Sequence, residues 1–174
     1  SLCGITEEEL LSNFAEEVQA LATEYNKTYD EMINILRQRY DGYRFSEKEE
    51  RIYNPFSLFN VFAKNKLGDY WFESGTPTFM VHLFEQKAFA LPDLEGNITM
   101  SARSIDMYRL SYSNLAPLLF QSGYLTIKGY DRELDMYVLG YPNDEVKYAF
   151  IECLMMVYTS ARKDPSGEFM IGDF

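Results

Sequence analysis

Asp135 and the string Glu145-Val146-Lys147 are the residues of this chain whose types come nearest to a reaction centre. Metal-dependent nucleases place an Asp and an ExK on adjacent strands, where two carboxylates hold Mg²⁺ and the lysine positions a water. Position argues against that chemistry here. Glu145 follows Asn143, a residue that caps helices, and an acid in a first turn complements the helix dipole. The chain has one histidine, His82, so neither a His-based metal site nor a supported Ser-His dyad can be assembled. His82 reads as a surface or boundary residue of a short helix. The acidic runs Glu7 to Glu9 and Glu47 to Glu50 read as solvated faces, because a calcium loop also needs a turn glycine at a fixed place. The phosphate-cradling pattern GxxxxGK[ST] and the dinucleotide pattern GxGxxG are both absent.

A second compact group is YDGYRF, Tyr40 to Phe45. Asp41-Gly42 stops a helix, since glycine enters the left-handed region without a Cβ penalty. Tyr43 and Phe45 pin a small hairpin, and Arg44 pairs with a nearby carboxylate. The aromatic set Tyr40, Tyr43, Phe45, Tyr53, Tyr70 and Trp71 is read as core rather than as an exposed binding face.

These residues sit in a chain of 174 residues with 47% hydrophobic and 25% charged content, the composition of an ordinary globular protein with a real core. No apolar run approaches the roughly 20 residues that span a bilayer, and no signal sequence is evident, so a cytoplasmic protein with no membrane partner is expected. A formal charge of −11 argues against nucleic-acid binding by the whole surface, because phosphate contacts need clustered Lys and Arg. Cys3 and Cys153 read as thiols rather than as a disulfide framework, with Cys153 a small core residue. The start at Ser-Leu-Cys and the stop in EFMIGDF lead us to expect a piece of a longer protein.

The elements that must position the candidates follow from pattern. Thr6 to Glu9 is a capping box, opening a helix with Leu10, Phe14, Val18, Leu21 and Tyr25 on its apolar face. A second helix carries Tyr29, Met32, Ile33, Leu36 and Tyr40 inward. Tyr43 to Phe45 and Arg51 to Tyr53 form the hairpin; Asn54 caps a third helix with Pro55 at its first position, running through Leu58, Phe59, Val61 and Phe62. A short helix is expected over Thr78 to Gln86, and Phe89 to Leu110 is irregular. Pro117 belongs to the first turn of a helix that begins near Ser113 or Asn114 and ends before Gly123. Strands Tyr124 to Lys128 and Met136 to Leu139 follow, joined by a wing in which Lys128 and Arg132 face Asp131, Glu133 and Asp135. Asn143 then caps a helix burying Val146, Phe150, Leu154 and Val157. The expected fold is mainly α with small β hairpins (α+β): a helical lid-like bundle over 1–110, a winged-helix-like module over 111–160, and a linker at 161–174.

The ordered motifs GITEEEL, YDGYRF, IYNPFSLFNVF, DYWFESGTP, LLFQSGYLTIKGYD and YVLGYPNDEVKYAF, from about Gly4 to Tyr158, resemble bacterial AAA-ATPase-like proteins that carry a PD-(D/E)xK nuclease domain at their far end. Members place a P-loop core before this region and the nuclease after it; this chain matches the middle. The resemblance implies a non-catalytic lid and linker, with ATP and Mg²⁺ bound by the parent protein rather than by this segment. It implies as partners the parent's own upstream ATPase domain and downstream nuclease domain. It also suggests a role for Arg44 as a nucleotide sensor near the γ-phosphate. Two other readings stand beside it: an adaptor whose winged module and aromatic surface bind another protein, and a nucleic-acid binder using the winged module, which the acidic wing opposes.

Overall fold

The structure, a computed structural model, describes residues 4–45, 50–71, 95–101, 103 and 116–161. Within them the fold is α+β. The elements in chain order are α1 (Glu7–Asn13), α2 (Ala15–Glu24), α3 (Tyr29–Tyr40), α4 (Pro55–Lys64), β1 (Glu95–Ser101), α5 (Ala116–Gln121), β2 (Thr126–Asp131), β3 (Met136–Gly140) and α6 (Asp144–Ala161).

Both ends of the Thr6 capping box form: the Glu9 amide donates to Thr6 Oγ1 at 3.1 Å and the Thr6 amide to Glu9 Oε2 at 2.9 Å. The single helix expected beyond it is instead two, broken at Phe14 (φ −127°, ψ 23°). Ser12 Oγ donates to the Glu8 carbonyl at 2.7 Å and Asn13 Nδ2 to the Glu9 carbonyl at 3.0 Å, so side chains compete for acceptors that a continuing helix would use. A second capping box, Thr28 with Glu31, opens α3 and was not anticipated. At α4 the expectation holds, with the Phe56 amide donating to Asn54 Oδ1 at 3.0 Å and Pro55 at the first position.

A three-stranded antiparallel sheet has the order β1-β3-β2. Its edge strand β1 lies in the stretch read as irregular, pairing Ser101 with Met136 and Ile98 with Leu139. The alternation that marks a strand is faint in EGNITMS, which mixes a glycine with polar residues, and the partner strand supplies the pairing. On the other side β2 pairs Thr126 with Gly140 and Asp131 with Met136, so it begins at Thr126 rather than at Tyr124. The hairpin expected at 43–53 reduces to isolated bridges, Tyr43 with Ile52 and Ile5 with Tyr53. The expectations for Cys3, the Ser46 to Glu49 loop tip, the Thr78 to Gln86 helix with His82, the start of the Pro117 helix near Ser113 or Asn114, the side chains of Leu154 and Val157, and the linker from 162 on lie outside the described residues, while residue 161 ends α6.

Two hydrophobic cores result. Leu10, Val18, Leu21, Met32, Leu36, Tyr40, Tyr53, Leu58 and Val61 fill the helical one. Leu119, Tyr124, Leu125, Ile127, Leu139, Val146, Phe150 and Cys153 fill the one beneath the sheet. The run from Tyr40 to Tyr53 belongs to both: Tyr40 and Tyr53 are buried in the first, Tyr43 and Ile52 in the second. No helix among the described residues is long and apolar enough to cross a membrane.

Candidate functional site

Two polar junctions meet on the first turn of α6, where the two cores come together. Glu145 makes the first. Its side chain is fully buried; Ser57 Oγ donates to Oε2 at 2.7 Å, and the amides of Tyr70 and Trp71 donate to Oε1 at 2.7 and 3.1 Å. Burial pushes its pKa above the ordinary carboxylate value, against the pull of Ser57 and the two amides. The expectation that Glu145 merely complements a helix dipole is therefore incomplete: the carboxylate ties α4 and the 66–71 segment to α6. Nor does the structure unite it with Asp135, which precedes β3 while Glu145 follows it. Asp135 instead sits in the β2-β3 turn with φ +52° and accepts from Tyr130 Oη at 2.7 Å.

The segment ending at Trp71 is held residue by residue. The Leu67 amide donates to Tyr25 Oη at 2.8 Å, and Tyr40 Oη donates to the Gly68 carbonyl at 2.8 Å while accepting from the Gly68 amide at 3.1 Å. Arg39 pairs with Asp69 at 2.7 Å. Burial raises the Tyr40 pKa to about 12, so the phenol stays protonated and keeps its donor.

The second junction is a cleft of about 620 Å³ between the end of α3, β2 and the start of α6. YDGYRF meets GYPN there. Gly42 has φ +107°, and a Cβ on it would stand 2.1 Å from the Pro142 carbonyl oxygen, so conformation and close approach both require glycine. The helix stop read from Asp41-Gly42 is thus present, and the freed Tyr40 carbonyl accepts from the Asn54 amide at 3.0 Å. Arg37, Arg51, Lys128 and Lys147 line the cleft together with Asp41 and Asp144. Arg37 is engaged by Glu7, with Nε on Oε2 at 3.1 Å, and by Asn34 Oδ1 at 2.7 Å. Lys128, expected in the wing, turns back so that Nζ donates to the Pro142 carbonyl at 3.2 Å. Desolvation first, and then the charge of Arg51, push its pKa down. Asn143 caps α6 by accepting from the Val146 amide at 3.1 Å, which leaves its Nδ2 buried with no acceptor; Asp41 Oδ1 is likewise buried with no donor.

Arg44 enters the fold through its main chain: its amide donates to Thr126 Oγ1 at 2.7 Å and its carbonyl accepts from the same hydroxyl at 2.9 Å. Tyr40, Tyr43, Tyr53 and Tyr70 are core residues as expected, whereas Phe45 is 55% exposed, its ring stacked on Tyr43 at 6.2 Å. Gly123 (φ +80°) closes α5 beneath Trp71, and Tyr124 is buried against Trp71 at 4.8 Å between ring centroids. Among the described residues no group of three or more His, Cys, Asp or Glu is placed to hold a metal. The cleft escaped sequence reading because its cations stand at 37, 51, 128 and 147 and no local run marks them.

Comparison with known proteins adds a single point of reference. No protein-family model and no solved structure matches the chain. It is 36% identical over 160 residues to a protein of Azotobacter chroococcum mcd 1 described as "Uncharacterized protein in vnfD 5'region", a match covering 91% of this chain and 28% of that protein, so the chain is similar to a segment of a much longer bacterial protein.

Proposed function

We propose that this chain is a non-catalytic coupling segment of a longer bacterial protein of the P-loop ATPase and nuclease type. Its helical core acts as the lid next to a nucleotide-binding domain, and its helix, hairpin, helix unit acts as the winged-helix-like link to the domain that follows. The observation that carries this reading is the Tyr40 to Tyr53 run shared by both cores. A displacement of α3 is transmitted through it to β2, because the Arg44 main chain is bonded to Thr126. The extent of the Azotobacter match, 28% of that protein, supports a role within a larger chain. In this reading ATP and Mg²⁺ belong to the parent, Arg44 reports nucleotide to the lid, and the partners are the flanking domains. An adaptor role is the second reading, favoured by the exposed rings of Phe45, Phe56 and Phe59.

Calorimetric titration of ATP into the protein extended through its upstream domain, as wild type and as Arg44→Ala, tests the lid. Weaker binding or a lower ATPase rate in the variant supports it. Identical binding and turnover in the two proteins would remove Arg44 from the mechanism.

A further inference from the structure

We propose that the cleft between Gly42 and Pro142 is a binding site for a proton-bearing phosphoryl oxyanion, either inorganic phosphate or the terminal phosphate of a nucleotide. The site is independent of the lid reading, since every group in it belongs to this chain. Three kinds of group converge there. Arg51, Lys128 and Lys147 bring positive charge to one place on a chain whose formal charge is −11, and burial first, then the charge of Arg51, disfavours the Lys128 ammonium, a cost that a bound anion offsets. The 18-residue helix α6 starts at the cleft, and helix N-termini favour anions. The third observation specifies the ligand. Asn143, 8% exposed, holds Nδ2 without an acceptor, and Asp41, 6% exposed, holds Oδ1 without a donor.

A buried donor and a buried acceptor, both without partners, belong to residues lining one cleft, and each carries a desolvation cost until something satisfies it. A ligand that satisfies both must accept and donate. Monohydrogen phosphate does this: one oxygen accepts from Asn143 Nδ2 while its P–OH donates to the Asp41 carboxylate. Sulfate, fully ionised near neutral pH, has no proton to give and sets an oxygen against that carboxylate. Asp144 lies at the same mouth and adds to the exclusion of anions that carry no proton. Arg51 and Lys128 line the same cleft, where Lys128 Nζ is held on the Pro142 carbonyl at 3.2 Å.

Isothermal titration of the chain at low ionic strength with inorganic phosphate, sulfate and ATP tests the site. Phosphate is expected to bind and sulfate to bind at least about tenfold more weakly, the scale of a lost charge-assisted hydrogen bond. Asn143→Asp keeps the helix cap but replaces the donor with a carboxylate oxygen; it should weaken phosphate about tenfold or more with little change in melting temperature. Asp41→Asn should erase the preference over sulfate. Lys128→Met, at an exposed position, should weaken binding whatever the fate of the other two variants. Binding of ATP but not of phosphate, lost in Asn143→Asp, supports the site with a nucleotide as the source. Absence of any binding by phosphate and ATP, equal affinity for sulfate, or affinity unmoved by Asn143→Asp and Lys128→Met would overturn the proposal. Nucleotide binding that needs the upstream domain and responds only to Arg44→Ala would retain the lid and reject this site.

Discussion

Asn143, which caps α6, and Glu145, in the first turn of that helix, are two residues apart and both buried, yet they end in opposite states. Glu145 is enclosed with three donors, at 2.7, 2.7 and 3.1 Å. Asn143 is almost as deeply buried, but its side-chain nitrogen Nδ2 has no acceptor, and Asp41 Oδ1, on the same cleft, has no donor. Folding alone gives no reason to keep such orphans, since removing both by apolar substitution is often neutral or stabilising. The saturated junction is architecture; Arg39 Nε, Tyr43 Oη and Tyr53 Oη are also buried without a hydrogen-bond partner, and what sets Asn143 and Asp41 apart is that they line one cleft with several cations. This difference is not visible from burial, which the two junctions share; it emerges only when each donor and acceptor is followed to its partner.

The comparison is broken most directly at Glu145. Glu145→Ala strands the Ser57 hydroxyl and two amides, which should cost on the order of 3–5 kcal/mol and lower the melting temperature by roughly 10 °C. A loss below about 1 kcal/mol would mean that water or a neighbour replaces the carboxylate without difficulty, and the distinction between the junctions would fail. Its pH dependence sharpens the point. Because burial raises the folded carboxyl above its ordinary value of 4.5, the folded protein holds this proton more tightly than the unfolded chain. The stability this group contributes is present at low pH and is lost as pH rises from 4.5 through the raised folded value. Denaturant melts of wild type and Glu145→Gln should thus diverge in favour of wild type on acidification from about pH 7, with the Asp41 contribution, also raised, cancelling in the difference. A difference independent of pH would show that the three donors fully offset the burial.

On the other junction, Gly42→Ala places a methyl against the Pro142 carbonyl at a φ that L residues rarely adopt. The expected cost is roughly 2–4 kcal/mol by equilibrium unfolding. If the variant were as stable as wild type, the approach of YDGYRF to GYPN would be looser than described, and the cleft with it.

Legibility in the sequence followed the range of the interaction. Local devices were readable: the Thr6 capping box, the Asn54-Pro55 helix start and the glycine stop at 42 each depend on residues within one turn. So were Val146 and Phe150 as a buried helical face. What escaped depends on partners distant along the chain. Strand β1 is specified by β3 rather than by its own composition. Glu145 meets donors at 57, 70 and 71, and nothing adjacent to it distinguishes a buried carboxylate from an ordinary first-turn acid. Lys128 was assigned to the wing because its neighbours are there, although its ammonium bonds to Pro142. The break at Phe14 was local, but it arose from competing side-chain hydrogen bonds that an apolar periodicity does not register.

The smallest expected effect separates structure from signalling at Arg44. Its amide and carbonyl both bond to Thr126 Oγ1, so the link between YDGYRF and β2 is carried by the main chain and survives truncation of the side chain. Arg44→Ala should therefore leave that link intact and cost only the contacts of a partly exposed cation, about 0–1 kcal/mol. Thr126→Val, which keeps the shape and removes the hydroxyl, should cost about 1–2 kcal/mol. That ordering, read from chemical denaturation of the two variants, assigns the joint between YDGYRF and β2 to the Thr126 hydroxyl. The reverse ordering would make the guanidinium itself a structural brace, and a sensor role for it would then have to compete with its work in holding the fold.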